Sequence, residues 1–337
     1  MKNKNITFFI ENDSHYRFSN NLINSLKVNN NIRIIALKEL GGVFKTHKNI
    51  KLEVFNNSRD FINALINLES DYFFTTTPGI NNSNFPKSKI IPKSKRPKYI
   101  YLFHALVSPN EMYVKNSFKN FDYIISPSKI VSNQLKYLIS KNTKILDFGF
   151  ILFDQVNKFS YDSYKNSVLI APSWGSEGLL EQKDIINNLV EQLSKVTSEI
   201  VLRPHPMHYE KIKNYEDLNL NLDLNLDLQN LHSYKFLITD CSGIALEFFY
   251  LTGRPVLFID VPKKIKRKIS HKEKALKLIE DDMKYIIGSS IKPNEISSKS
   301  VIPKISDLSE AESFIDEVCL SKNVVHNIVN FNYQLSD

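Results

Sequence analysis

Short apolar runs alternate with segments of helical periodicity along most of the chain. A strand is predicted over 6–10 and an amphipathic helix over 16–28. Strands follow at 32–37, 51–55, 72–75, 99–102 and 123–126, with helices at 58–68 and 128–139, the latter with Ser128 as its N-cap. Strands that are apolar on both faces must be covered on both faces. That is the pattern of a parallel sheet between helices.

A second series begins near residue 166. It predicts a strand at 167–171, a helix at 179–195, strands at 199–202 and 236–239, a helix at 243–251 and a strand at 255–259. The repetition predicts an α/β protein of two Rossmann-like domains, 1–155 and 156–308. A tail, 309–337, with one helix over 310–320, packs back across them. The stretch "LNLNLDLNLDLQNL" (218–231) resembles low complexity, yet leucine at every second position is strand periodicity. A short strand is expected there, followed by one helical turn capped by Asp227.

Composition narrows the class. The 337 residues include 42% apolar, 11% aromatic and 24% charged, enough apolar surface for two cores and unlike a disordered chain. Two cysteines are too few for a disulfide framework, and no apolar window is long enough for a signal peptide core or a membrane span. A cytoplasmic protein is expected, peripheral at most to the inner face of the plasma membrane. The 44 basic residues outnumber 36 acidic ones, and the excess gathers in "PKSKIIPKSKRPK" (86–98) and "PKKIKRKISHKEKALK" (262–277). These are solvated surface or a contact for an anionic membrane or polymer. No zinc spacing or RNA-binding strand accompanies them, so nucleic acid is not expected as a partner.

Candidate chemistry sits where an open parallel sheet binds ligands, beyond the carboxyl ends of its strands. Four such ends are polar: "FHALVSP" with His104, "PSWGSEG" with Ser173, Trp174 and Gly175, "RPHP" with Arg203 and His205, and "DCSG" with Ser242 and Gly243. Pro204 and Pro206 fix φ on either side of His205 and leave its imidazole little freedom. A histidine so held donates to a phosphate or moves a proton near neutral pH. Ser242 and Gly243 open a helix whose N-terminus favours an anion, with Glu247 one turn further on to accept from ribose hydroxyls. Asp240 reads as a loop organiser and Cys241 as a small packed side chain. No HExxH, CxxC, P-loop, GxGxxG or GxSxG is present, so no metal and no cofactor are expected.

In these motifs the chain resembles the CDP-glycerol glycerophosphotransferase family, the teichoic-acid primases and polymerases. The counterparts are "FHALVSP", "APSWGSEG", "RPHP" and "DCSGIALEF" followed by "GRPVLFID". The resemblance covers roughly residues 98–260 and implies a GT-B fold, its acceptor bound by the N-terminal half and its nucleotide by the C-terminal half. It implies His104 as the base that deprotonates the acceptor hydroxyl. His205, Ser242 and Gly243 would bind the donor diphosphate, and Glu247 the ribose. Two departures stand out. The family's His-Gly-Thr-Pro reads His104-Ala105-Leu106-Val107 here, and its second serine is Gly243. The leading expectation is therefore transfer of glycerol-phosphate or a related unit from a CDP-activated donor to a hydroxyl of a glycan or lipid-linked acceptor. A GT-B transferase using a CMP- or UDP-sugar, and a non-catalytic nucleotide- or glycan-binding module, are the alternatives.

Overall fold

A computed structural model describes residues 3–37, 40, 48–159, 164–175, 177–209, 220–225, 227–263, 265–319 and 323–334. Seven strands form the N-terminal sheet: β1 (Asn5–Ile10), β2 (Asn31–Ala36), β3 (Ile50–Val54), β4 (Tyr72–Thr75), β5 (Lys98–Leu102), β6 (Tyr123–Ile125) and β7 (Lys144–Leu146). Six form the second: β8 (Ser167–Ile170), β9 (Glu199–Leu202), β10 (Asn221–Leu222), β11 (Phe236–Thr239), β12 (Val256–Ile259) and β13 (Gly288–Ile291). Every pairing is parallel. The central strands are apolar on both faces and fully buried, as that arrangement demands.

The orders are β3-β2-β1-β4-β5-β6-β7 and β10-β9-β8-β11-β12-β13. In each sheet the chain starts in the middle, winds to one edge, returns and winds to the other. The winding reverses between β1 and β4 in one sheet and between β8 and β11 in the other. Crevices open at those two points, outside the carboxyl ends of the strands.

Local chemistry sets the element ends. Ser128 caps the helix Lys129–Leu135 by accepting from the N–H of Val131 (3.3 Å). Asp227 caps the 3-10 turn Leu228–Ser233 by accepting from Gln229 (3.0 Å), directly after the two-residue β10. Both caps agree with the sequence reading. The helix expected over 16–28 is two pieces, Asp13–Tyr16 and Asn20–Leu26. The tail holds two helices where one was expected, Leu308–Val318 and Val324–Gln334. The second starts on Asp154, whose carboxylate accepts from the N–H groups of Val324 (2.9 Å) and Val325 (2.7 Å). Phe331 packs on Tyr123, so this helix lies against the N-terminal half. No helix among the described residues is long and apolar enough to cross a membrane.

The helix Ile244–Thr252 is buried from Ala245 to Thr252 on every face. A helix that is apolar all round belongs inside a protein, and this one sits in a core continuous across both halves.

Candidate active site

The two halves meet where their crevices face each other. Gly243, at the N-cap of the helix Ile244–Thr252, lies against the backbone of Leu106 in the loop after β5. A Cβ at 243 would stand 3.2 Å from both the nitrogen and the carbonyl oxygen of Leu106. A side chain there would push the loop back by a few tenths of an ångström, and no side chain caps the helix end beside it. The two departures noted in the sequence, Leu106 and Gly243, are thus in contact.

His104 is anchored from within the N-terminal half. Its Nδ1 is 3.4 Å from the Tyr101 hydroxyl, which is 3.4 Å from the Tyr113 hydroxyl. Its ring also hydrogen-bonds the backbone of Thr76 and lies 5.0 Å from the ring of His15. Burial pushes the His104 pKa down to about 3. His15, Arg17 and His205 add to the depression, while the bond to Thr76 opposes it. His205 belongs to the other half, and its effect on His104 is the smallest of these.

His205 is held as its flanking prolines suggest. The N–H of Met207 donates to its Nδ1 (3.2 Å), which places the proton of the neutral ring on Nε2. The Trp174 ring lies alongside it, with centroids 5.9 Å apart. Gly175 follows Trp174 with φ 144°, a left-handed value that lets the loop turn away after the indole.

Asp240 ties the two C-terminal loops together. Its Oδ1 accepts from the N–H groups of Ser173 (2.8 Å) and Cys241 (2.7 Å). Its Oδ2 accepts from the Ser173 hydroxyl (2.8 Å) and the N–H of Leu179 (3.2 Å). Asp240 is therefore the loop organiser expected, and Ser173 is spent in holding that loop. Arg203, buried with 6% of its side chain exposed, is bound through Nε (3.1 Å) and Nη2 (2.5 Å) to Asp223 Oδ2. That oxygen also accepts from the Tyr234 hydroxyl (2.9 Å). Arg203 braces the loop that carries His205.

Glu247 is a carboxylate inside the apolar helix, with 5% of its side chain exposed. Burial raises its pKa, and Arg17 and Arg203 pull it back down. Arg17 reaches it from the opposite half, Nη2 to Oε1 at 3.7 Å. His15 and Arg17 were not singled out in the sequence, although their loop follows β1 and the rule that selected the other four strand ends selects it too.

The profile of the family described as CDP-Glycerol:Poly(glycerophosphate) glycerophosphotransferase matches residues 1–264. The chain belongs to this family. Membership makes it a glycerophosphotransferase that draws on CDP-glycerol. No curated protein matches the sequence. Among solved structures, the wall teichoic acid polymerase TagF, as a variant soaked with CDPG, is similar with a TM-score of 0.63 at 16% identity. That likeness covers 98% of this chain and 88% of the other. The UDP-GlcNAc 2-epimerase of Methanocaldococcus jannaschii, in complex with UDP-GlcNAc and UDP, gives a TM-score of 0.55 at 11% identity, covering 97% and 99%. At such identities the likeness is one of fold, and the glycerophosphotransferase has the two-sheet GT-B architecture expected from its sequence.

Proposed function

We propose that this cleft transfers glycerophosphate from CDP-glycerol to a hydroxyl of a bacterial surface glycan or lipid-linked acceptor, in the manner of teichoic acid synthesis, without a metal ion. The observation that carries the reading is the packing of the His104 loop, through Leu106, against Gly243 at the N-terminus of the helix Ile244–Thr252. The donor diphosphate lies at the open end of the helix Ile244–Thr252, beside Ser242, Gly243, Trp174 and His205. The helix N-terminus and the His205 Nε2–H are the donors that receive it. Glu247 exchanges Arg17 for the ribose hydroxyls.

In the transfer, the acceptor oxygen forms a bond to the phosphorus that bears glycerol. The bond from that phosphorus to the bridging oxygen breaks, and CMP departs with the electron pair. His104, neutral at physiological pH, takes the hydroxyl proton. Positioning two substrates and stabilising charge on the leaving phosphate supply most of the acceleration. The exposed Lys89, Ile90 and Lys93, beside Lys95 paired to Glu69 (3.0 Å), offer a basic surface with one apolar residue, suited to peripheral contact with anionic lipid near a lipid-linked acceptor.

The test is a transfer assay with CDP-glycerol, a CMP-sugar and UDP-GlcNAc as donors, each with and without EDTA. Release of CMP from CDP-glycerol alone, unchanged by EDTA, is expected. Turnover of a nucleotide sugar in preference would overturn the donor assignment, and loss of activity in EDTA would overturn metal independence.

A further inference from the structure

We infer that Lys266 is a donor-phosphate ligand, delivered into the cleft by the basic segment that follows β12. This rests on the reading of the cleft as a CDP-glycerol site and adds a residue to it. The segment was read from sequence as a solvated or membrane-facing surface. Its cations instead divide into two kinds.

Three are neutralised where they stand. Lys263 pairs with Glu111 (2.8 Å) and Asp281 (3.0 Å), Arg267 with Glu273, and Lys277 with Glu317 (2.9 Å) and Asp282 (3.6 Å). Lys266 differs, since its ammonium lies over two aromatic rings, 5.2 Å from the Trp174 centroid and 5.9 Å from that of Tyr113. Trp174 belongs to the donor half and Tyr113 to the acceptor half. The backbone fixes this placement, because the N–H of Lys266 donates to the carbonyl of Glu111 (2.9 Å) across the gap between halves.

These contacts form a chain from one half to the other. His104 meets Tyr101, Tyr101 meets Tyr113, Lys266 spans Tyr113 and Trp174, and Trp174 lies alongside His205. An ammonium resting on a half-buried indole is held more weakly than one hydrogen-bonded to a phosphate. A diphosphate bound beside His205 therefore draws Lys266 off the indole. As CMP leaves, its phosphate gains charge, and Lys266 offsets that charge.

The experiment is calorimetric titration of the full chain with CDP-glycerol, CMP and cytidine. Lys266→Gln is expected to weaken CDP-glycerol binding about tenfold, the worth of one charge-assisted hydrogen bond. Cytidine, which has no phosphate, should bind unchanged, and Lys266→Arg should restore most of the loss. Lys268→Gln removes an equal charge from the same segment and should alter neither affinity. If Lys266→Gln binds CDP-glycerol like the wild type, or Lys268→Gln loses as much, the inference is wrong while the donor reading stands. If the wild type binds no CDP-glycerol, the donor reading itself fails and takes this inference with it.

Discussion

At the scale of single residues, the unusual feature is a histidine held neutral far below its ordinary range. His104 is pushed down to about 3 by burial and by His15, Arg17 and His205 around it. The unfolded chain takes up a proton near pH 6.5 that the folded chain refuses until about 3, so stability falls between those two values as pH drops. A His104→Gln variant should flatten that part of the stability profile in urea titrations, and an unchanged profile would contradict the assignment. The two phosphates of a bound donor bring negative charge near His104 and raise its pKa in the complex. The acid limb of kcat, which reports the complex, should then lie at higher pH than the acid limb of kcat/KM. Coincident limbs would argue against His104 as the base. Arg17 and Glu247 give a second prediction. A buried carboxylate without its partner is costly, and Arg17 is part-exposed, so Arg17→Ala should destabilise by about 1–3 kcal/mol. Because the Glu247 pKa is raised, that loss should shrink as pH falls and the carboxyl protonates. Glu247→Gln, which removes the charge itself, should cost less. Urea melts at several pH values measure all three.

At the scale of elements, the sheet was legible because its central strands are continuous apolar runs, and burial on both faces leaves no other pattern available. The strands that escaped notice are edge strands. β7 is three residues long, and Gly288, Ser289 and Ser290 of β13 carry no apolar signal. The last helix escaped for a related reason, since Asp154, which starts it, lies some 170 residues earlier in the chain. The helix Ile244–Thr252 was found from local signals, but its contact with Leu106 joins positions no local pattern connects. Gly243→Ala tests that contact. The added Cβ forces the His104 loop aside, at about 1–3 kcal/mol. The expected result is a lower kcat with intact helical and sheet signals by circular dichroism. A variant with wild-type kcat would show that the loop has room to spare.

At the scale of the whole molecule, the site is made by turning the carboxyl ends of two sheets toward each other. Ser108 donates its N–H to Glu280 (2.7 Å) and accepts from the N–H of Ile279 (2.9 Å), and Gln134 donates to the carbonyl of Lys277 (2.7 Å). These ties, with Arg17–Glu247 and Leu106–Gly243, hold the N-terminal half against the C-terminal half. Four of the five strand-end loops around the cleft were legible in the sequence, because the carboxyl-end rule of parallel sheets needs only strand boundaries. What remained hidden was which residues serve the cleft and which serve the loops. Arg203 and Ser173 brace their loops, while His15 and Arg17 come from a strand end that was passed over and Lys266 from a basic stretch read only as surface. The central claim is that His104, on one half, removes the acceptor proton while His205, on the other, holds the donor. The most direct measurement is the kcat of His104→Ala for CMP release from CDP-glycerol, with the donor Kd measured in parallel. A fall in kcat of about 10²–10⁴ with donor affinity retained is the predicted result, and a kcat near that of the wild type would contradict it.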